Sequence, residues 1–241
     1  MVYLSVSLLL FFFASAFSGG ADLLTPCDVH DTDCLSKTTQ EFLEKTSAGI
    51  PNYNIKRLDP LVIPKLEIKL SEKSEPVLHF KDLTVTGLKG QQFSGFKMDT
   101  TAKTVELQTK ADLDIVGEIT LEMKKKSYTG SYAAKGTALG TAKYDYAFKT
   151  DDKGVEHYEI GTETNECQTL IDPQVTYDQE LIQALEKDTD LQGRKQRYYA
   201  NQKDIEQRIF CEIVSHAYKT VVHNIRAAAK ILPKSAFLKG V

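Results

Sequence analysis

The stretch TVELQTKADLDIVGEITLEM, residues 104–123, decides the architecture of this chain. Every odd position from Val105 to Met123 is apolar or small, whereas the even positions are mostly Glu, Gln, Lys, Asp or Thr. Alternation with period two is typical of a strand that buries one face. Strands usually have about five or six residues, so a strand of about twenty must curve, and we expect the bend at Gly117.

The neighbouring segments continue this pattern. Residues 127–149 alternate on their even positions, and we interpret the run Lys124, Lys125, Lys126 before them as a hairpin. DDKG at 151–154 is a turn signal, and VEHYEI at 155–160 reads as the next strand. Upstream, LDPLVIPKLEIKL at 58–70 leads irregularly into a strand whose apolar face carries Leu66, Ile68 and Leu70. These segments predict a long antiparallel meander with one apolar face.

Residues 204–232 change character, because they contain no Gly or Pro and their apolar residues recur at helical spacing. A helix of this length spans roughly 40 Å at about 1.5 Å per residue. Its apolar stripe is wider than a coiled-coil seam, so we expect it to lie along the concave face of the sheet and to end at Pro233.

Two other segments complete the helical prediction. Residues 34–51 form a short amphipathic helix in this interpretation, with Gly49 and Pro51 as its stop. Residues 186–202 are polar and are expected to form a loop or an exposed helical turn. The predicted fold class is therefore α+β, with a long C-terminal helix wrapped by a strongly curved antiparallel β-sheet and a short helix near the N-terminus.

The first residues predict secretion. Residues 1–20 form an apolar run that ends in small residues, which is typical of a secretory signal peptide. No Lys or Arg precedes the run, so a retained membrane anchor is the alternative. Residues 21–241 show no repeat and no linker, and we expect them to form a single domain in an extracellular protein.

The four cysteines suit an oxidising compartment and two disulfides. Three pairings are possible, and we favour Cys27 with Cys34 and Cys167 with Cys211, because the first two share one short loop. A zinc site made of all four is not expected, since no Cys-x-x-Cys pair occurs. The formal charge of −3 gives no support to nucleic-acid binding.

Signatures of enzymes are absent from the sequence. It contains no Gly-x-Ser-x-Gly elbow, no His-Glu-x-x-His, no P-loop and no Gly-x-Gly-x-x-Gly. His216 and His223 lie two helical turns apart, too far for easy joint metal ligation. We therefore expect no enzyme activity, no metal and no cofactor, and a secreted esterase is the alternative from a different functional class.

The stretch GTALGTAKYDYAF, residues 136–148, raises a question about the inner face of the sheet. One face of this strand carries Gly and Ala as far as Ala142 and then Tyr144, Tyr146 and Phe148. Small residues can keep a cavity open for an apolar ligand, or they can permit close contact between helix and sheet. The alternation alone does not choose between these two interpretations.

Three stretches point to a family. FLEKTSAGIPNY (42–53), FKDLTVTGLKGQQFSGFKMDTTAKTVELQTKADLDIVG (80–117) and VVHNIRAAAKILP (221–233), with the spacing of Cys27 and Cys34, resemble the haemolymph juvenile hormone binding proteins of moths and butterflies. Takeout-like insect proteins are the wider relatives. The resemblance covers essentially the whole chain after residue 20, and the second cysteine pair is similar to that of the hormone carriers.

The resemblance implies a secreted haemolymph carrier. Such a protein would bind juvenile hormone in a hydrophobic pocket, protect it from hydrolysis and deliver it to tissues; a takeout-like carrier of another small hydrophobic ligand is the alternative. The expected partner is thus a small hydrophobic ligand, without nucleic acid or membrane span, and the carrier is expected to be a monomer.

The resemblance also implies roles for individual residues. Tyr144 falls where a tyrosine hydroxyl reaches the epoxide oxygen of the hormone. Tyr158 falls where an aromatic residue, commonly Phe, lies near the pocket, and its added hydroxyl needs a partner or an outward tilt. The helix at about 35–48 corresponds to the family's gate, with Leu35, Phe42 and Leu43 as its gate residues. The remaining predicted pocket residues are Val85, Leu113, Ile115, Ile209, Ile213, Tyr218 and Phe237.

Overall fold

The computed structural model describes residues 23–70, 76–123 and 126–240. The predicted signal peptide at 1–20 lies outside these residues, as do Lys124 and Lys125 of the predicted hairpin. The helices and strands, in chain order, are α1 (Thr32–Thr46), β1 (Leu61–Lys69), β2 (Val77–Thr86), β3 (Gln92–Asp99), β4 (Thr104–Met123), β5 (Lys126–Thr150), β6 (Glu156–Tyr177), α2 (Gln179–Lys187), α3 (Gln192–Ala200) and α4 (Gln202–Ile231).

Strand β4 holds the sheet together because it pairs with three other strands. On one side it pairs with β5 along its whole length, from Thr104 opposite Asp145 to Met123 opposite Lys126. On its other side, β3 pairs with residues 104–110 and β2 with residues 114–122. The resulting antiparallel sheet has the order β1-β2-β4-β5-β6, with β3 beside β4, and it does not close into a barrel.

The change of partner along β4 depends on a close approach of the backbone. The chain leaves β2, turns through Gly87 at a φ of 103° and enters β3 at Gln92. A Cβ at residue 87 would lie 2.0 Å from the carbonyl oxygen of Asp112. Only glycine fits both this φ and this space, so the β2–β3 connection passes beside residues 111–113 of β4, which pair with β5 but with neither β2 nor β3.

The predicted bend at Gly117 coincides with an irregularity in the neighbouring strand. The register between β2 and β4 shifts between Lys81 and Thr84, which lie opposite Glu118 and Val116. β4 itself continues as one strand through this point. The extra residue is thus accommodated as a bulge in β2, which increases the local twist of the sheet.

Helix α4 lies against the inner face of the sheet, as predicted. Its buried side chains Ile209, Phe210, Ile213 and Val214 share one core cluster with side chains of β1, β2, β4 and β5. A disulfide joins Cys211 of this helix to Cys167 of β6, and a second joins Cys27 to Cys34. These are the two favoured pairings of the four cysteines.

The small residues of β5 make close contact with aromatic side chains of α4. A Cβ at Gly136 would lie 3.0 Å from Cζ of Phe210, and one at Gly140 would lie 2.0 Å from Cζ of Tyr218. Ala138 and Ala142 are also buried. Of the two interpretations of this stretch, close contact between helix and sheet is therefore correct at Gly136 and Gly140.

Two regions differ from the sequence-based expectation. β6 has 22 residues instead of the six predicted, and α3, with the last two residues of α2, occupies much of residues 186–202, which were expected to form a loop or a helical turn. β6 is an edge strand with few buried positions, so its backbone pairing with β5, rather than an apolar face, defines it. Leu181 is the buried residue of α2, with Leu185 partly buried against the core, whereas α3 has no buried residue.

The contact at Gly140 predicts a specific loss of stability. In Gly140→Ala the new methyl group overlaps the Tyr218 ring, and such overpacking lowers the free energy of unfolding by about 1–3 kcal/mol. Gly193→Ala in α3 is the matched control, because no atom lies within 4 Å of its added Cβ and alanine favours helix. Urea denaturation measures both, and equal stability of the two variants would contradict the assigned contact.

Candidate ligand-binding cavity

A cavity lies beneath α1, between the second half of α4 and one end of the sheet. It measures about 150 Å³, whereas one buried water needs only about 10–15 Å³, so it has room for an organic molecule. The walls come from six elements and their flanking segments: Leu35, Thr38, Thr39, Phe42, Leu43 and Thr46 of α1; Phe93, Phe96 and Met98 of β3; Val105, Leu107 and Thr109 of β4; Tyr144 and Tyr146 of β5; Tyr158 and Ile160 of β6; Val221, Asn224, Ile225 and Ala228 of α4; and Leu24, Leu58, Gln91, Phe237 and Leu238.

Most polar side chains of the wall are bonded within the protein. In α1, the hydroxyls of Thr39 and Thr46 donate to the carbonyls four residues earlier, at 2.7 and 2.6 Å. The Thr109 hydroxyl donates to Oε1 of Gln91 at 2.8 Å. Tyr218 completes this network, since its hydroxyl lies 2.5 Å from Oγ1 of Thr109. The hydroxyl hydrogens of these groups are therefore bonded within the protein and do not donate to the cavity.

Asn224 is the polar residue that connects α4 to the segment behind α1. Its Oδ1 accepts from the backbone N–H of Lys56 at 2.8 Å, and its Nδ2 donates to the carbonyl of the same residue at 2.8 Å. The side chain is buried. One amide thus satisfies both backbone groups of Lys56 and holds this side of the cavity in place.

Helix α1 covers the cavity and is anchored at both ends. Asp31 caps its first turn by accepting from the N–H of Cys34 at 3.0 Å, next to the disulfide with Cys27. At the other end, the carbonyl of Ser47 accepts from the N–H of Leu58 at 2.8 Å. The predicted gate residues Leu35, Phe42 and Leu43 are buried and line the cavity.

The segment after α4 closes the cavity beside the first disulfide. The N–H of Cys27 donates to the carbonyl of Phe237 at 3.3 Å, and the N–H of Lys239 donates to the carbonyl of Cys27 at 2.8 Å. Cys27 and Leu238 form a parallel bridge. This pairing places Phe237 and Leu238 in the cavity wall.

An aromatic cluster forms the end of the cavity farthest from the core of the sheet. The rings of Tyr146, Phe148 and Tyr158 lie with their centroids 5.2–5.6 Å apart, and Phe237 lies 5.5 Å from Tyr158. Nζ of Lys234 lies 4.3 Å from the centroid of Phe148. Tilted and edge-on contacts of this kind stabilise aromatic clusters beyond the area that they bury.

Tyrosine hydroxyls are the polar groups of this end that lack a partner. The buried hydroxyls of Tyr146 and Tyr158 have no hydrogen bond within the described chain, and the Tyr144 hydroxyl has none there either. Burial raises the pKa of Tyr158 to about 12 and raises the pKa of Tyr144 as well. All three phenols are therefore protonated at neutral pH and can donate to a ligand.

The charged groups nearest to Tyr144 neutralise one another. Arg226 donates to the carbonyls of Ile160 and Gly161 at 3.1 and 2.6 Å and to the carboxylate of Glu163, which lies opposite Tyr144 in the sheet. Burial raises the pKa of Glu163, but the hydrogen bond and charge of Arg226 outweigh burial and lower it overall. The ion pair between Arg226 and Glu163 therefore carries no net charge.

The predicted pocket residues divide into two groups. Tyr144, Tyr158 and Phe237 line the cavity. Tyr218 lies outside its wall and contacts Gly140, because the first half of α4 fills the concave face of the sheet. The other members of the predicted set that belong to this core cluster rather than to the wall are Val85, Leu113, Ile115, Ile209 and Ile213.

Sequence reasoning missed the wall that β3 contributes. Phe93, Phe96 and Met98 do not alternate regularly, because a register shift between Phe93 and Gly95 inserts an extra residue. Val221 and Ile225 of α4 carried a signal, since both belong to the helical apolar stripe. Periodicity alone does not say which part of that stripe faces a cavity.

Among residues 23–70, 76–123 and 126–240, no helix is long and apolar enough to cross a membrane. These residues contain no group of three or more His, Cys, Asp or Glu side chains arranged to hold a metal ion.

Comparison with known proteins gives consistent matches. The family model described as haemolymph juvenile hormone binding protein matches residues 6–155. The juvenile hormone-binding protein of Manduca sexta is 44% identical over 221 residues, which cover 91% of this chain and 96% of the relative. The crystal structure of Takeout 1 from Epiphyas postvittana superimposes with a TM-score of 0.72 at 18% identity, covering 90% of this chain and all of that one. At that identity, the structural match shows a shared fold.

The two hydrogen bonds between the Asn224 amide and the backbone of Lys56, called here the Asn224 clamp, predict a loss of stability when they are removed. Asn224→Ala removes both hydrogen bonds between Lys56 and the buried Asn224 amide, and the loss of two such bonds lowers the free energy of unfolding by about 1–3 kcal/mol. Asn201→Ala is the control, because that exposed amide donates to the carbonyl of Arg197 where water can replace it. Chemical denaturation compares the two variants, and equal losses would show that the clamp has no special role.

Proposed function

This chain belongs to the haemolymph juvenile hormone binding protein family, and we propose that it binds juvenile hormone in the cavity beneath α1 and carries it as a secreted haemolymph protein rather than acting as an enzyme. The observation that carries the proposal is an apolar cavity whose free polar groups are uncharged tyrosine hydroxyls. Its two disulfides suit an extracellular protein. A bound hormone would be shielded from esterases until it reaches a tissue.

The chemistry of the cavity suits the chemistry of this hormone. Juvenile hormone is a neutral sesquiterpenoid with an epoxide and a methyl ester, so it needs apolar walls and a donor but no counter-ion. Burying ~300 Å² of its apolar surface contributes about 7 kcal/mol at ~25 cal/mol per Å². One neutral hydrogen bond contributes a net ~1 kcal/mol. Burial therefore supplies most of the affinity, and the hydrogen bond supplies discrimination.

In this proposal Tyr144 is the donor to the epoxide oxygen. Its hydroxyl has no hydrogen-bond partner within the described chain, and it lies in the wall of the cavity. Arg226 is occupied by Glu163 and two carbonyls, so it does not compete for the ligand's oxygen. The rings of Tyr158 and Phe237 form part of the apolar wall.

Helix α1 acts as the gate in the same proposal. Its buried face, with Leu35, Phe42 and Leu43, separates the cavity from solvent. The disulfide between Cys27 and Cys34 fixes the start of the helix. Release of the ligand requires α1 to move away from β3 and α4, and this disulfide limits how far its first turn can travel.

Removing the Tyr144 hydroxyl tests the donor. We expect Tyr144→Phe to weaken binding of juvenile hormone about fivefold, which corresponds to one net hydrogen bond, and to leave binding of the analogue with a double bond in place of the epoxide unchanged. Fluorescence competition or calorimetry measures both affinities. The control is Tyr199→Phe, which alters an exposed tyrosine; unchanged hormone affinity in Tyr144→Phe would exclude the donor role.

Opening the first disulfide tests the gate. In Cys27→Ser/Cys34→Ser the start of α1 is released, so we expect faster dissociation of the bound hormone, by about tenfold if roughly 1.4 kcal/mol of the barrier is lost. Stopped-flow displacement measures the rate. Cys167→Ser/Cys211→Ser is the control, because its bridge joins β6 to α4; equal rates in wild type and the first variant would argue against the gate.

A further inference from the structure

The hydroxyl of Tyr158 is buried and unpaired. The residue is 7% exposed, and its hydroxyl has no hydrogen-bond partner within the described chain. Buried hydroxyl groups in native proteins nearly always have a partner. The sequence left two possibilities for this group, a partner or an outward tilt; the described chain supplies no partner, and the buried position excludes an outward tilt.

The surroundings of Tyr158 leave one direction for that partner. Its ring packs against Tyr146, Phe148 and Phe237, with centroids 5.4, 5.2 and 5.5 Å away. The polar group among these neighbours is the Tyr146 hydroxyl, which makes no hydrogen bond to Tyr158, and Tyr158 also lines the cavity. An acceptor within the cavity is thus the missing group.

Tyr158 and Tyr144 act on the same end of the cavity. Phe148 lies opposite Tyr158 in the β5–β6 pair, and Tyr144 precedes it on the same face of β5. The phenol of Tyr158 contributes to the raised pKa of Tyr144 after burial itself, as expected of neighbouring hydroxyl groups. Two protonated phenols therefore lie near one another in one part of the cavity wall.

We propose that the Tyr158 hydroxyl donates a second hydrogen bond to the oxygenated end of the ligand that Tyr144 also contacts, and that Tyr158 sets specificity for an ether-type oxygen there. This inference rests on the proposed function. An epoxide oxygen has two lone pairs, so it can accept from two phenols at once, whereas a double bond in its place can accept from neither. Tyr158→Phe would leave one lone pair of the epoxide oxygen without a donor.

Tyr146 also has a buried hydroxyl without a hydrogen-bond partner in the described chain, but its neighbours differ from those of Tyr158. Its backbone N–H donates to the carbonyl of Lys103, and Nζ of Lys103 lies 5.6 Å from its ring centroid. Burial raises the pKa of Tyr146, and the carboxylate of Asp99 raises it further. Asp99 and Lys103 are exposed, so this phenol is next to the surface turn between β3 and β4.

Because the Tyr158 hydroxyl is unpaired in the empty protein, Tyr158→Phe is expected to affect stability and ligand affinity in opposite directions. In the empty protein the substitution removes an unpaired buried polar group, so the midpoint of thermal unfolding stays the same or rises. In the complex it removes a donor to the ligand, so affinity falls. If Tyr158 only packed the cavity wall, Tyr158→Phe would not lower the affinity for the hormone while the unfolding midpoint of the empty protein stayed the same or rose.

The experiment compares two Tyr→Phe variants. Tyr132→Phe is the matched control, because its hydroxyl is also buried without a partner in the described chain, but it lies in the main core beside Phe80 and Tyr177, outside the cavity wall. Affinities for juvenile hormone and for its epoxide-free analogue are measured by calorimetry on wild type and both variants. Thermal unfolding of each empty protein is measured in parallel.

We expect Tyr158→Phe to reduce the preference for the epoxide about fivefold, equivalent to about 1 kcal/mol at 25 °C, without a fall in the unfolding midpoint of the empty protein. Tyr132→Phe keeps the full preference. An unchanged preference in Tyr158→Phe, as a buried water on this hydroxyl would produce, overturns the inference, and so does an equal change in both variants. If wild type binds neither compound, the proposed function itself fails; if wild type discriminates and Tyr158→Phe does so equally, only the role of Tyr158 fails.

Discussion

Two aromatic rings packed on two glycines set the distance between helix α4 and strand β5, and the rest of the molecule follows from that distance. Phe210 lies over Gly136 and Tyr218 over Gly140, with no room for a side chain between. Along this half, helix and sheet form a continuous core. Beyond Ala142 the strand carries Tyr144 and Tyr146 instead of small residues, so the two layers separate and α1 closes the space between them.

The cavity wall favours neutral ligands because most of its polar groups already have a hydrogen-bond or ion-pair partner within the protein. Thr109, Gln91 and Asn224 are bonded within the protein, and Arg226 is neutralised by Glu163. A charged ligand would lose its hydration without gaining a counter-ion, which is strongly unfavourable. A neutral ligand with an acceptor loses little, because tyrosine donors replace the water that it leaves behind.

The parts of the fold that periodicity predicted are those that bury a continuous apolar face. β4 and α4 each present such a face to the core, and their predicted bounds agree with the structure to within a few residues. β6 buries few side chains and α3 buries none, so the sequences of these two elements carry little periodic signal. The wall from β3 was hidden by its register shift near Gly95. Tyr144 and Tyr158 were singled out by resemblance, but only the structure showed that the hydroxyl of Tyr158 has no partner in the protein.

The bridge between Cys27 and Leu238 also orders the events of biosynthesis. It joins residues more than two hundred positions apart, so the loop that it closes includes the whole sheet and α4. Because a ribosome makes the chain from its N-terminus, the strands and the first disulfide loop emerge well before the segment that pairs with Cys27. A nascent chain can therefore assemble its sheet early, but it completes the enclosure of the cavity only after residue 238 has left the ribosome.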